Sequence, residues 1–137
     1  MPLTLAKSAS AAILASAIAL ATMTAPAQAG GQISFGFAPS DPEQAQAMKL
    51  GLLFYGLAEG LSGQGGIVQN GNHNGAGIVQ GGNGNFGVVH QDGNGHNGAI
   101  RQAGSNNTCG LFQFGQNTSG QCLQSGGQTG ATFQFGW

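Results

Sequence analysis

The sequence predicts an all-β repeat: a β-solenoid of stacked strand-turn-strand coils, made from 11-residue half-repeats and preceded by one short α-helix. Three observations carry that expectation. Stepping by eleven from Gln69 lands on Gln80, Gln91, Gln102, Gln113 and Gln124 without a miss. Two residues after each Gln comes a glycine (Gly71, Gly82, Gly93, Gly104, Gly115, Gly126), and two residues before each comes Ile67, Ile78, Val89, Ile100, Leu111 or Cys122. The chain has 137 residues, of which 27 are Gly and only 5% are charged, so it has few large side chains from which to build an ordinary globular core. An internal repeat decides the architecture before any local propensity does.

At the N-terminus, Lys7 precedes the apolar run AAILASAIALA, which leads to TMTAPAQA with Ala27 and Ala29 at the small-residue positions of a cleavage site. This is the pattern of a secretory signal peptide over residues 1–29. The run of about 11 apolar residues is too short for the roughly 20 that span a bilayer, so a membrane anchor is the weaker reading. The mature chain, Gly30 to Trp137, is expected to be secreted by way of the periplasm to the cell surface or beyond, where cysteines can pair.

Residues 30–62 form a different kind of segment. In SDPEQAQAMKLGLLFYGLAEGLSG, Ser40 and Glu43 have capping-box spacing and Pro42 suits a first turn, which predicts a helix over 41–61. Its apolar surface is broad: Met48, Leu50, Leu52, Phe54, Tyr55, Leu57, Ala58 and Leu61. The helix is expected to cap the first coil or cover an edge; membrane-surface contact and docking to export machinery are the sharper alternatives. Gly51, Gly56 and Gly60 weaken it and leave open a strand through GLLFYGL.

Residues 63–137 carry the repeat. In NGAGIVQ, the strand period of two puts Asn74, Ala76, Ile78 and Gln80 on one face and Gly75, Gly77 and Val79 on the other. The following GGNG or DGNG suits tight turns, because Gly and Asn tolerate positive φ. Two units make a coil of 22 residues, and stacking aligns identical residues in ladders. Gln would then recur because each copy hydrogen-bonds the copies above and below it. Ile67, Ile78, Val89, Ile100 and Leu111 would form the core aliphatic row, opposite a small-residue row of Ala76, Gly87, Gly98, Cys109, Gly120 and Ala131. The last unit drifts, with Phe135 where Gln is due, Phe133 as its apolar residue and Trp137 in the glycine slot. Disorder of a Gly/Asn-rich segment is the competing reading, but disorder needs no register.

Folding consecutive strands face to face sets Leu111 opposite Gly120 and Cys109 opposite Cys122. Packed sheets sit about 10 Å apart and a disulfide needs Cα atoms within about 6.8 Å, so the spacing leaves two readings: a disulfide across a local pinch, the favoured one, or two buried free thiols. His73 falls in a turn, His90 on an outer face and His96 on an inner face, and they do not converge. Asp92 and Arg101, in neighbouring units, suggest an exposed pair worth under about 1 kcal/mol. No catalytic constellation, cofactor loop or metal-ligand spacing can be assembled, so no enzyme activity, cofactor or metal is expected. A net charge of -1 excludes a basic nucleic-acid surface. The outward residues Val79, Phe86, Val88, His90, Arg101, Phe112 and Leu123 give no Thr row of the kind an ice-binding solenoid would want.

The pattern Gln-x-Gly-x-x-Asn-x-Ala with Gln four places on, as in QNGNHNGAGIVQ (Gln69 to Gln80), resembles the curlin repeat of secreted curli subunits. The resemblance covers about Gly63 to Trp137; the Asn slot departs from it at His96, Thr118 and Thr129, and the Ala slot is often Gly. It implies a major or minor subunit of an amyloid fibre, exported through a dedicated outer-membrane pore with its chaperone. It further implies assembly with itself and with other curlin-like subunits, for adhesion and biofilm matrix. The residues alone lead the same way, since about three coils leave strand edges at both ends that can template another chain. The alternative is a monomeric secreted β-solenoid binding module capped by its N-terminal helix.

Overall fold

Each repeat unit forms one strand and one tight turn, as its spacing requires. The computed structural model describes residues 30–137; the expected signal peptide over 1–29 lies outside the described residues. In chain order the elements are β1 (Gln32–Phe37), α1 (Pro42–Ala58), β2 (Gly65–Asn70), β3 (Gly75–Gln80), β4 (Phe86–Asn94), β5 (Asn97–Gln102), β6 (Thr108–Gln116), β7 (Ser119–Gln124) and β8 (Thr129–Gly136). Strands β2 to β8 alternate between two sheets, a five-stranded one ordered β1-β8-β6-β4-β2 and a three-stranded one ordered β3-β5-β7. The repeat strands in each sheet are parallel and in register, so Gln69, Gln91 and Gln113 align in one sheet and Gln80, Gln102 and Gln124 in the other. The chain is a β-solenoid of about three turns with a single helix. Its turns stack backbone on backbone: Gly71 has φ 110°, and a Cβ there would lie 1.9 Å from the Gly93 carbonyl oxygen. Only glycine fits such a site.

Two thin cores result. Between the sheets, Val89, Ile100, Cys109 and Leu111 are buried, with Ala76, Ile78 and Cys122 packed against them. The wall opposite is small because it must be: a Cβ on Gly98 would lie 2.7 Å from Gln113 Oε1 and 3.1 Å from Leu111 Cδ2. Leu111 thus faces Gly98 on the preceding strand and not Gly120, which meets the Gln134 amide instead. The first member of the aliphatic row, Ile67, is 39% exposed, because no coil lies above it among the described residues.

The second core lies outside the solenoid. Phe86, Val88 and Phe112 do point outward, but they are buried beneath α1, together with Leu52. The helix lies across the face of the five-stranded sheet and not over the first coil or an edge. Its first turn is capped by Asp41 in place of the expected Ser40, with the Asp41 carboxylate accepting from the Glu43 N–H at 2.9 Å. It ends at Ala58, three residues short of the expected Leu61, because Gly60 turns left-handed at φ 73° and the Leu61 N–H bonds back to the Gly56 carbonyl at 2.8 Å. GLLFYGL is helical throughout. Gly56 serves as a socket, since a Cβ there would lie 2.7 Å from Phe86 Cζ.

Three further placements correct the sequence reading. Strand β1 pairs antiparallel with β8, Ile33 with Phe135 and Phe35 with Phe133, and covers the last rung of that sheet. The final unit has not drifted: its turn is one residue short, so Gln134 pairs with Gln113 and Gly136 with Gly115. Phe133 and Phe135 therefore face outward, Phe133 stacked on Phe112 with ring centroids 4.8 Å apart, and Gly130 takes the inner small position expected of Ala131. Arg101 and Asp92 sit on β5 and β4, in different sheets, which removes the basis for pairing them.

Candidate functional site

The features that set this molecule apart are its side-chain ladders and the two ends where they stop. The inner buried glutamines Gln91, Gln102 and Gln113 each make the same pair of bonds. Gln91 Nε2 donates to Gln113 Oε1 at 2.8 Å and to the Gly75 carbonyl at 2.8 Å. Gln102 repeats this with Gln124 at 2.8 Å and the Phe86 carbonyl at 2.9 Å, and Gln113 with Gln134 at 2.7 Å and the Asn97 carbonyl at 2.9 Å. The ladder therefore locks strand to strand up each sheet and sheet to sheet across the core. It is also polar: every Nε2 points toward the C-terminal end and every Oε1 toward the N-terminal end.

A second ladder runs through the Asn slot. The Asn85 side-chain oxygen accepts from the Asn107 N–H at 3.0 Å, and Asn74 accepts likewise from the His96 N–H at 3.0 Å. His96 substitutes for Asn by using both ring nitrogens: Nδ1 lies 2.8 Å from Thr118 Oγ1 and Nε2 lies 3.2 Å from the Asp92 carbonyl. Because Nδ1 also accepts from the Thr118 N–H at 3.4 Å, the pattern places the ring proton on Nε2, donating to Asp92. In the last unit the slot is filled by Gln128, whose N–H donates to Asn107 Oδ1 at 3.2 Å, and not by Thr129. Among the described residues, Thr108 Oγ1 is the one buried side-chain polar atom without a partner, so the buried amides of the ladders are satisfied.

The remaining candidate residues take structural places. Cys109 and Cys122 form a disulfide joining the two sheets, with Cα atoms 6.7 Å apart, which is the local pinch that such a bond requires. His90 stays on the outer face beneath the helix, where its Nδ1 meets the Tyr55 hydroxyl. Burial, helped by the Glu59 carboxylate, pushes the Tyr55 hydroxyl up to about 12. His73 occupies an exposed turn at φ 61°. The three histidines do not meet, and no group of three or more His, Cys, Asp or Glu that could hold a metal occurs among the described residues. No helix among those residues is long and apolar enough to cross a membrane.

The ends differ. At the N-terminal end, among the described residues, no strand pairs with the free edge of β2 or β3, and nothing donates to Gln69 Oε1 or Gln80 Oε1. At the C-terminal end, Gln134 Nε2 reaches Ser34 Oγ of β1 at 3.4 Å, and Gln124 Nε2 turns to the Gln128 carbonyl at 3.2 Å. Gln32 of β1 clamps the start of β7, accepting from the Ser119 N–H at 2.8 Å and donating to its carbonyl at 3.1 Å. Sequence reasoning missed β1 altogether. Comparison of the chain with family models, curated proteins and solved structures found no match.

Proposed function

We propose that this chain is a structural subunit of an extracellular curli-like amyloid fibre, growing end to end by strand-edge addition for adhesion and biofilm matrix. The observation that carries this reading is the open first coil. Among the described residues, strands β2 and β3 present two edges that no strand covers, bridged at Gly65 by Ser62 alone, with a half-exposed aliphatic row at Ile67 and Ile78 and two free amide acceptors on Gln69 and Gln80. A second copy offers the complement at its other end, where the Gln134 and Gln124 amides, which now spend a donor on Ser34 and Gln128, would turn that donor to the incoming glutamines. Because the seven repeat strands place four rungs in one sheet and three in the other, a next copy turned by half a coil would join its β2 to β7 and its β3 to β8, continuing both sheets in the same register. Each new backbone hydrogen bond contributes about 0.5–1.5 kcal/mol net, and a chain with 5% charged residues offers little repulsion. Export through a curli-type pore with its chaperone, and co-assembly with other curlin-like subunits, belong to the same proposal.

The test uses Ile67→Lys. Ile67 points into the core but is 39% exposed, so a lysine there leaves the folded monomer intact, while a polymer would bury its ammonium unpaired. Wild-type chain is expected to elongate wild-type seeds, as followed by sedimentation and electron microscopy, and the variant to leave them unextended. Normal elongation by a folded Ile67→Lys chain would sink strand addition at this edge. One observation favours the alternative, a monomeric secreted binding module: β1 covers one sheet edge at the C-terminal end. On that reading wild-type chain stays monomeric when seeded.

A further inference from the structure

We infer that β1 is a built-in, removable cap on the growing end: it occupies the edge of β8 that a strand of the next copy must take, and assembly proceeds by exchanging one for the other. The inference rests on the fibre reading and adds the control point to it. The first support is the position of β1, which lies on the outer edge of β8, where parallel stacking would put the next rung.

The second support is that β1 imitates that rung imperfectly. Ser34 stands where the next glutamine belongs and accepts from Gln134 Nε2 at 3.4 Å, whereas the Gln-to-Gln bonds of the ladder span 2.7–2.9 Å. A single antiparallel strand also covers one sheet only. Among the described residues the edge of β7 receives the Gln32 side chain at Ser119 and no strand, so the Gln124 amide, which keeps its bond to the Thr108 carbonyl, spends its other N–H on its own turn. An incoming coil would fill both edges and restore both ladders.

The third support is the tether. Four residues, Ala38 to Asp41, join β1 to α1, which is fastened to the face of the same sheet through Leu52 on Phe86, Val88 and Phe112. A strand held so closely competes at an effective concentration of order mM, far above that of a secreted subunit. The weaker strand therefore wins until a fibre end or a high local density of subunits presents the two-stranded competitor. The outcome is a chain that folds without polymerising at once and extends an existing end by strand exchange.

Two full-length variants test this. Ile33 and Phe135 face one another across the β1–β8 pair, and the Gly31–Trp137 bonds set the alternation that makes theirs a hydrogen-bonded pair. Ile33→Pro deletes that donor and loosens the cap. The double variant Ile33→Cys, Phe135→Cys locks it, since such a pair has Cα atoms about 5.5 Å apart, within disulfide range. Both positions lie on the outer face, away from the Cys109–Cys122 bond. Unseeded and seeded growth are followed by thioflavin fluorescence, with wild type in the same reductant as the control for the native disulfide. The expected result is a lag several-fold shorter for Ile33→Pro, and a locked chain that fails to extend seeds until reduced. If wild type forms fibres while the locked chain extends seeds equally fast and Ile33→Pro keeps the wild-type lag, the cap is overturned and the fibre reading survives. If neither wild type nor Ile33→Pro polymerises, even seeded, both fall. A silent wild type beside a polymerising Ile33→Pro supports the cap most strongly.

Discussion

At the scale of single residues, the amides inside the solenoid have opposite consequences depending on their rung. Gln113 is fully buried and bonds Gln91, Gln134 and the Asn97 carbonyl. Gln113→Leu fits the space but leaves Gln134 Oε1 without its donor and a Gln91 amide N–H without its acceptor, at about 1–3 kcal/mol for each buried unpaired group. The expected loss is ~2–4 kcal/mol, read as a lower urea midpoint with an unchanged slope. Gln69→Leu, on the exposed first rung, is expected to cost under about 1 kcal/mol, because water replaces the lost bond. Tyr55 gives a pH prediction. Its hydroxyl is raised in the folded state from 10.0 to about 12, so the neutral form is the one the fold favours. The associated stability is complete below pH 10, the unfolded value, and is lost as pH rises through 10 toward 12. Tyr55 is the single tyrosine, so phenolate absorbance reports it directly and should titrate well above the ordinary range. A phenolate titrating at the ordinary 10.0 in the folded chain would contradict the docked helix.

At the scale of elements, glycine has two meanings in α1, and substitution separates them. Gly51 has nothing within 4 Å of a prospective Cβ, so Gly51→Ala should stabilise the protein by up to about 1 kcal/mol through helix propensity. Gly56 holds Phe86 in its socket, so Gly56→Ala should destabilise by about 1–3 kcal/mol despite the same propensity gain. Both are read from thermal unfolding. The sequence alone presents these glycines as equal helix weakeners, because the difference lies in a contact with a strand some thirty residues away. The repeat strands were legible for the converse reason. Their register is written in the spacing of Gln69 to Gln124, and neighbours in space differ by one coil. Counting by eleven failed at β8, where a one-residue deletion in the turn hides the phase. The signal that recovers it is the motif Phe-Gln-Phe-Gly, present at Phe112–Gly115 and again at Phe133–Gly136. Strand β1 left no such trace: QISFGF carries no repeat residue in phase, and its partner is about 100 residues away. Half of the candidate site, the open first coil, was therefore readable from sequence, and the covered end was not.

At the scale of the whole molecule, two thin sheets are held by ladders within each and by glutamine amides and one covalent bond between them. The Cys109–Cys122 disulfide is that bond, closing a separation of 13 residues. Chain entropy assigns a loop of that size about 3 kcal/mol, so reduction should lower the unfolding midpoint by that amount, as measured by denaturant titration with and without reductant. The Gln ladder also gives the molecule a direction, with acceptors free at one end and donors turned aside at the other, and only head-to-tail joining satisfies both. Fibre diffraction on aligned material grown from the chain of residues 30–137 tests that most directly. Strands stacked along the fibre with paired sheets predict an axial reflection near 4.7–4.8 Å and an equatorial one near 10 Å. Wild-type and Ile33→Pro chains that both stay soluble monomers with strand-type circular dichroism at high concentration, or fibres that lack the axial reflection, would contradict it.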